Sequence, residues 1–287
     1  NPANPLYAGL ANPAAAVIYP AGTRERTFDI DCITTDANGT PVGPVPDGKV
    51  DPTGYDTIFI GTPNPIVQRD IFRQTGSDMI TLVKSLPNLD LDGDTLGDID
   101  MTQVHYAGHS LGGIVGPACV CSEMKSYYLN VAGGPYADIG RVSQSFSPLV
   151  NAILAGAGLT PGTSLYSQYF REALASIDAG DPVNYIKRLS QDRPVLFTKV
   201  IGDATVPNST NDYLIRAAGG TKITAAGLNP VAAGAPKFVS FLTGNHSSLL
   251  SPAGGLANTQ EMQTHAASLV ATGGTAINVV NSSLLEQ

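Results

Sequence analysis

The stretch Gly108-His109-Ser110-Leu111-Gly112-Gly113 follows strand-like residues 103–107 and precedes a small-residue helix that begins near Ile114. A serine between two glycines at a sharp strand-to-helix turn is the pattern of a nucleophile elbow, in which a Cβ on either flank is expected to collide with neighbouring backbone. The turn lifts Ser110 Oγ out of the sheet and aims the unpaired N–H groups of the helix at a reacting oxygen. The motif alone is weak in a chain with 31 glycines, but the strand before it and the helix after it favour a functional serine.

Composition limits the classes of protein to which the chain can belong. With 287 residues, 43% hydrophobic and 14% charged, it can bury one large core or a core plus a subdomain. A net charge of −8 with only 16 scattered Lys and Arg residues argues against a nucleic-acid partner. No apolar run approaches the ~20 residues of a membrane span. The chain begins at Asn1 without Met or a signal peptide, which predicts that it has been processed or cut from a longer one.

The periodicity of apolar residues predicts alternating strands and helices. The predicted strands are 16–19, 27–33, 57–60, 127–132, 194–201 and 237–242, and the predicted helices include 66–86 and one that begins at Asn258. The 66–86 helix is expected to bury Val67, Ile71, Thr75, Met79, Leu82 and Leu86. Glu261 is expected to form a capping box with Asn258. Residues 34–54 are rich in Gly, Pro and Asp and are predicted as a surface loop. Because strands alternate with helices along the chain, the sheet is expected to be mostly parallel and doubly wound.

A helical insertion is predicted between the strands 127–132 and 194–201. Ser147-Pro148 and Asp181-Pro182 have the form of an N-cap followed by proline at the first helical position. Leu165, Tyr169, Ala173 and Ile177 recur at fourfold spacing. The insertion either fills space or forms an apolar roof over Ser110, and its Leu, Ile, Tyr and Phe content favours an acyl-binding roof. The sequence therefore predicts three segments: residues 1–136 and 194–287 form two parts of the core, and residues 137–193 form the cap.

The three cysteines do not form a metal pattern. Cys119 and Cys121 are expected on the helix after the elbow, where they point to different sides and are small buried hydrophobes. The odd count leaves room for one bridge to Cys32, or for a partner cysteine outside the chain.

A base for Ser110 can be found by elimination among four histidines. His105 lies in the strand before the elbow, and His109 is expected to point away from the nucleophile. His265 lies in the middle of a helix and is interpreted as a surface or packing residue. His246 remains, in a loop after a strand at the C-terminal edge of the sheet, where open α/β folds place their chemistry.

The acid that orients the base is sought between Ser110 and His246 in the chain. Asp203 ends a strand and can accept the Nδ1 proton of His246, which fixes the tautomer of the ring. Its structural alternative is a turn aspartate that caps Thr205. Asp212, nine residues on, is the second candidate acid.

These motifs resemble a known family. GHSLGG at 108–113, Gly202-Asp203-Ala204-Thr205-Val206-Pro207 and Gly244-Asn245-His246-Ser247-Ser248-Leu249-Leu250 are similar to the α/β-hydrolase lipases, specifically bacterial extracellular lipases of the virulence-factor type. Also similar are 23–28 (TRERTF) and 68–74 (QRDIFRQ). The resemblance implies ester hydrolysis through an acyl-enzyme, with Ser110 as nucleophile, His246 as base and then acid, and Asp203 orienting it. It also implies a bacterial protein that is secreted or at the cell surface and needs no cofactor.

The chain departs from this family at the oxyanion hole. The family takes one donor from the N–H after the nucleophile, here Leu111, and a second from a His-Gly loop near the first helix. No His-Gly occurs in the sequence. An N-terminal part of the fold is therefore expected to be missing and to be supplied by an upstream fragment of the same precursor, although the segment Ile18–Thr23 is the alternative source.

An acidic stretch raises the question of calcium. Asp90, Asp92, Asp94 and Asp98 recur at alternate or near-alternate positions, but Thr95 and Met101 stand where an EF-hand needs Gly and Glu. A looser structural Ca²⁺ loop and a solvated acidic turn both remain open.

Three function classes compete at this point. The first is a carboxylic ester hydrolase for medium to long acyl esters, which contacts a lipid interface peripherally. The second is an amidase or peptidase on the same fold. The third is an inactive fragment or binding module, favoured only by the missing oxyanion donor, whose loss costs ~3–4 kcal/mol of barrier.

Overall fold

A computed structural model describes residues 64–287 together with 34–35, 37, 41–43 and 47–48. The described residues before Thr62 belong to a separate unit from Pro63–Gln287. In the first unit, β1 (Thr34–Thr35) pairs antiparallel with β2 (Pro41–Gly43), so the predicted surface loop contains a short hairpin. The predicted strands 16–19, 27–33 and 57–60, the segment Ile18–Thr23 and Cys32 all lie outside the described residues.

The second unit alternates strands with helices along the chain. Its helices are α1 (Pro65–Ser85), α2 (Leu111–Val115), α3 (Tyr136–Val142), α4 (Ser147–Gly156), α5 (Ser164–Ile177), α6 (Val183–Asp192), α7 (Asn208–Ala218) and α8 (Leu256–Ala271). Its strands are β3 (Tyr106–His109), β4 (Tyr127–Asn130), β5 (Val195–Val200), β6 (Thr221–Lys222), β7 (Gly227–Pro230), β8 (Lys237–Phe241) and β9 (Ala276–Val279).

The central sheet has the order β3-β4-β5-β8-β6, and every pairing in it is parallel. Strands buried on both faces direct alternate side chains into two cores. Tyr127 and Leu129 pack with α1, α6 and α7 on one face, whereas Tyr128 packs with α8 and β9 on the other. The expected α/β fold with a mostly parallel, doubly wound sheet is confirmed, and its order of elements is consistent with the α/β-hydrolase fold. The antiparallel pair β7 and β9 was not predicted from the sequence.

Each of two predicted helix faces is wrong at one leucine. In α1, Ile71 is buried as predicted, together with Phe72, Gly76 and Val83, whereas Leu82 is 53% exposed. In α5, Ala173 and Ile177 are buried as predicted, together with Tyr166 and Phe170, whereas Leu165 is 59% exposed. Each helix carries adjacent apolar residues, and packing against the neighbouring element selects one of each pair.

The closing helix begins earlier than predicted, and its glutamate has another role. Helix α8 starts at Leu256, so Glu261 lies within it and forms no capping box. Glu261 is buried, accepts from His265 Nε2–H at 3.0 Å, and accepts from the backbone N–H groups of Val280 and Asn281 at 2.8 and 3.1 Å. Glu261 therefore ties the end of β9 to α8.

The helix after the elbow is shorter than expected. Helix α2 ends at Val115, and a 3₁₀ turn that contains Pro117 follows, so Cys119 and Cys121 lie beyond the helix rather than on it. Both cysteines are buried, as predicted, and both are free thiols. Burial raises the pKa of the Cys119 thiol to about 12, which keeps it protonated and unreactive.

Four helices, α3 to α6, occupy the chain between β4 and β5. Helices α3, α4 and α5 share an apolar cluster built around Tyr166 and Phe170. Helix α6 instead packs with α7 against the central sheet. Helix α4 begins at Ser147 after an N-cap at Phe146, and α6 begins one residue after Pro182, with Asp181 accepting from the N–H of Val183 at 3.0 Å. None of the described helices combines the length and apolar character that a bilayer span requires.

Candidate active site

Three loops at one edge of the sheet bring Ser110, Asp203 and His246 together. They follow β3, β5 and β8, whose parallel directions place their carboxyl ends at the same edge. Ser110 Oγ lies 2.7 Å from His246 Nε2, and His246 Nδ1 lies 2.8 Å from Asp203 Oδ2. A carboxylate only accepts, so Nδ1–H donates to Asp203 and Nε2 is left to accept the Ser110 hydroxyl proton. This is the geometry of a serine nucleophile with an oriented base.

The turn at Ser110 holds the serine in a rarely populated conformation. Ser110 has φ 52° and ψ −116°, a strain of order 1–3 kcal/mol that persists only where surrounding contacts enforce it. The N–H of Ser110 donates to the carbonyl of Asn130 at 2.9 Å, and its carbonyl accepts from Ile114 at 2.9 Å. The backbone N–H and carbonyl of Ser110 are therefore both held by hydrogen bonds, while its Oγ is free to contact His246.

The need for glycine falls on Gly108 and Gly113, and not on Gly112. A Cβ on Gly108 would lie 2.5 Å from the Gly112 oxygen, and one on Gly113 would lie 2.8 Å from Ala132 Cβ. A Cβ on Gly112 would meet only the Tyr106 hydroxyl, at 4.0 Å, among the described residues. The expectation that both glycines flanking the serine are sterically required is wrong at Gly112, because its Cβ direction leads away from the turn.

Gly108→Ala and Gly112→Ala are expected to differ sharply in stability. The Gly108 clash is with backbone that cannot rotate away, so the free energy of unfolding should fall by about 3 kcal/mol or more. Gly112→Ala places alanine in a helix without a clash and should leave stability unchanged or raise it by up to about 1 kcal/mol. Urea unfolding of both variants measures this difference, and equal losses would show that the elbow is not packed as described.

Asp203 performs both of the roles considered for it. Its Oδ1 accepts from the backbone N–H groups of Thr205 and Val206 at 2.8 and 3.1 Å, while Oδ2 accepts from His246. The carboxylate is buried and aimed by its own turn. Asp212, the other candidate acid, instead pairs with Lys199 Nζ.

The remaining histidines occupy three different environments. His105 Nδ1 lies 2.8 Å from Ser126 Oγ, away from Ser110. His265 is fully buried beside Glu261 and is a packing residue, not a surface one. His109 does not point away from the site: its ring centroid lies 5.2 Å from that of His246. The prediction for His109 is therefore wrong: its Nδ1 lies 2.8 Å from Oδ1 of its strand partner Asn130, and this hydrogen bond holds the ring beside His246.

Several residues that support the acid loop were not found from the sequence. Asn208 accepts from the N–H of Gly202 at 2.8 Å and donates to the carbonyl of Val200 at 2.7 Å, which closes the turn around Asp203. From the insertion, the buried Ser143 donates to the carbonyl of Thr205 at 2.7 Å. The only signal in the sequence for Asn208 is its place after Pro207, at the start of a helix.

The predicted oxyanion donor lies at the start of a helix. Leu111 follows Ser110 directly and is the first residue of α2, so its N–H has no acceptor within the helix, and its donation to an oxyanion stays a prediction. The segment Ile18–Thr23, considered as the source of a second donor, lies outside the described residues.

The acidic loop brings three of its four carboxylates together. Ligand oxygens of Asp90, Asp92 and Asp98 lie within 4.8 Å of one another, all exposed, whereas Asp94 accepts from the N–H of Leu96 at 2.8 Å and is not in the group. Asp90 and Asp98 also accept backbone N–H groups of the loop at 2.6 Å. These bonds account for the acidic residues as turn-forming groups, and calcium binding here stays a prediction.

Solved structures of esterases and peptidases are similar to the chain. Acetyl xylan esterase 1 from Thermoanaerobacterium sp. is 16% identical over 70% of this chain and 56% of that one, with a TM-score of 0.43. Acylaminoacyl peptidase from Pyrococcus horikoshii is 11% identical over 69% and 27%, with a TM-score of 0.41. An esterase from Thermogutta terrifontis is 17% identical over 72% and 65%, with a TM-score of 0.44.

The chain spans less than two thirds of the length of each of these proteins. No protein-family profile and no curated protein sequence matches it. The activity of the chain is therefore inferred from the geometry of the site.

Proposed function

We propose that this protein hydrolyses carboxylic esters through a serine acyl-enzyme. The observation that supports the proposal most directly is the hydrogen-bonded series Ser110–His246–Asp203, with distances of 2.7 and 2.8 Å. A hydroxyl in contact with an imidazole whose other nitrogen meets a buried carboxylate is the arrangement that activates serine.

The reaction follows from these contacts. Ser110 Oγ attacks the ester carbonyl while its proton moves to His246 Nε2, and Asp203 stabilises the imidazolium. The Leu111 N–H donates to the oxyanion. His246 then gives its proton to the departing alkoxide, the acyl group remains on Ser110, and water activated by His246 releases the carboxylic acid and restores the serine.

The insertion supports medium to long acyl esters as substrates. From Val142 to Phe170 the chain carries no charged side chain, and this stretch forms all of α4 and the first half of α5. Leu154 is the only buried residue of α4, while Leu149 is 49% exposed. The insertion begins beside the acid loop, where Ser143 contacts Thr205. An uncharged helical insertion that starts beside the acid loop suits an acyl chain or the lipid interface that presents it, as in a secreted or cell-surface enzyme.

A series of nitrophenyl esters of increasing acyl length tests this substrate class. We expect kcat/KM to rise from acetate through octanoate, because each methylene that becomes buried contributes up to about 0.8 kcal/mol. A flat or falling profile would contradict the acyl-binding role and indicate a small-ester esterase. Faster cleavage of matched nitroanilides than of esters would indicate an amidase.

A pair of surface variants locates the acyl preference on the insertion. Leu149→Asp should reduce turnover of octanoate and of emulsified esters more than turnover of acetate, because a carboxylate in this apolar surface must be desolvated. Leu228→Asp is the matched control, since Leu228 is 70% exposed on β7. Equal effects of both variants would remove the insertion from the proposal.

A further inference from the structure

The residue directly before the nucleophile contacts the base. The imidazole rings of His109 and His246 lie with centroids 5.2 Å apart and planes inclined by 49°. His246 sits on a loop in which Gly244 has φ +123°, and its side chain is 17% exposed. The ring of His246 is therefore held by three neighbours: Ser110 and Asp203 at its nitrogens, and His109 beside the ring.

His109 is itself fixed from within the sheet. Asn130 is its register partner on β4, and His109 Nδ1–H donates to Asn130 Oδ1 at 2.8 Å. Asn130 is fully buried, and its amide donates to the Tyr128 hydroxyl at 3.3 Å. Thr198, the register partner of Asn130 on β5, donates to the same hydroxyl at 3.2 Å. The buried Asn130 side chain has its hydrogen bonds satisfied and resists displacement. The His109 ring that it holds is therefore fixed in one position.

The charge of His109 suits this position. Burial lowers the pKa of His109, and the neighbouring His246 lowers it further, against the opposing effects of the Asn130 hydrogen bond and Asp203. His109 therefore stays neutral at neutral pH and does not repel the imidazolium that forms on His246 during turnover.

We propose that His109 is a positioning residue for ester hydrolysis, whose ring keeps the His246 imidazole between Asp203 and Ser110. The proposal rests on the proposed function for its kinetic test. The His109 ring limits rotation of His246 away from Ser110. A displacement of the base by about 1 Å can lower the rate of hydrolysis by up to about 100-fold.

Two substitutions separate the ring of His109 from its hydrogen bond. His109→Phe keeps a flat ring but cannot donate to Asn130, whereas His109→Gln keeps an amide donor for Asn130 but has no ring. For a soluble nitrophenyl ester we expect His109→Gln to lower kcat about tenfold or more with KM within about twofold, and His109→Phe to retain kcat within about threefold. Retention by Gln with loss by Phe, equal loss by both, or a change in KM alone would overturn the role of the ring.

Nuclear magnetic resonance of the full chain provides a readout that does not depend on activity, and its first part needs only the wild-type protein. In the wild-type protein we expect cross-relaxation between the ring protons of His109 and His246, together with a downfield Nδ1–H proton on His246 that His109→Gln broadens or loses. No cross-relaxation in the wild type would overturn the proposal. If the contact is seen but the wild-type protein hydrolyses no ester, the proposed function fails while the positioning of His246 stands.

Discussion

Replacing Ser110 with alanine is expected to lower kcat for nitrophenyl ester hydrolysis by about 10⁴-fold or more and to abolish labelling by an organophosphonate. The size of the effect follows from the site: the Ser110 Oγ is the atom in contact with His246 Nε2, at 2.7 Å, so alanine leaves the base without a nucleophile. The remaining activity is expected to come from the Leu111 N–H and from substrate binding alone. Mass spectrometry of the labelled protein, combined with steady-state kinetics, measures both losses.

Ser247→Ala is the matched control for this prediction. Ser247 is exposed in the same loop as His246, so its loss should leave labelling and kcat within about twofold of the wild type. A phosphonate that still labels Ser110→Ala would assign the nucleophile to another residue. Full ester turnover by Ser110→Ala would exclude the acyl-enzyme on Ser110.

The sequence could predict the longer strands of the central sheet because they depend on local patterns, whereas the short strands β6, β7 and β9 were not found. Runs such as 195–200, buried at every position, are typical of strands in a parallel sheet and need no tertiary information to be found. The phase of a helix face is different. Leu82 and Val83 are both apolar neighbours in α1, and only the packing of α1 against the sheet buries Val83 and leaves Leu82 exposed.

For the candidate site, the order of residues along the chain was enough to predict the three members of the triad but not their surroundings. The order Ser, Asp, His with strand-end loops led to Ser110, Asp203 and His246, which the structure brings into contact. The contact of His109 with His246 depends on the alignment of β3 with β4, which places Asn130 beside His109. A register between strands 21 residues apart cannot be obtained from either strand alone.

Asp203→Asn is expected to lower kcat by about 10⁴-fold while Asp212→Asn leaves it within about twofold. At Asp203, the N–H groups of Thr205 and Val206 both donate to Oδ1, so the oxygen of an asparagine amide must take that position. Its NH₂ group then faces His246 Nδ1 and donates to it. The proton of His246 is forced onto Nε2, which can no longer accept from Ser110.

The matched variant at Asp212 decides between the two acids by a different property. Lys199 is 8% exposed and pairs with Asp212, so Asp212→Asn should lower the free energy of unfolding by about 1–3 kcal/mol without slowing turnover per folded molecule. Asp203→Asn should slow turnover and leave the free energy of unfolding unchanged, because asparagine still accepts both backbone N–H groups and the fold of the turn is kept. Steady-state kinetics and urea unfolding of the two variants test this crossing of effects. If Asp212→Asn abolishes turnover and Asp203→Asn does not, the acid of the triad is Asp212, and the Asp203 turn serves only to shape the loop.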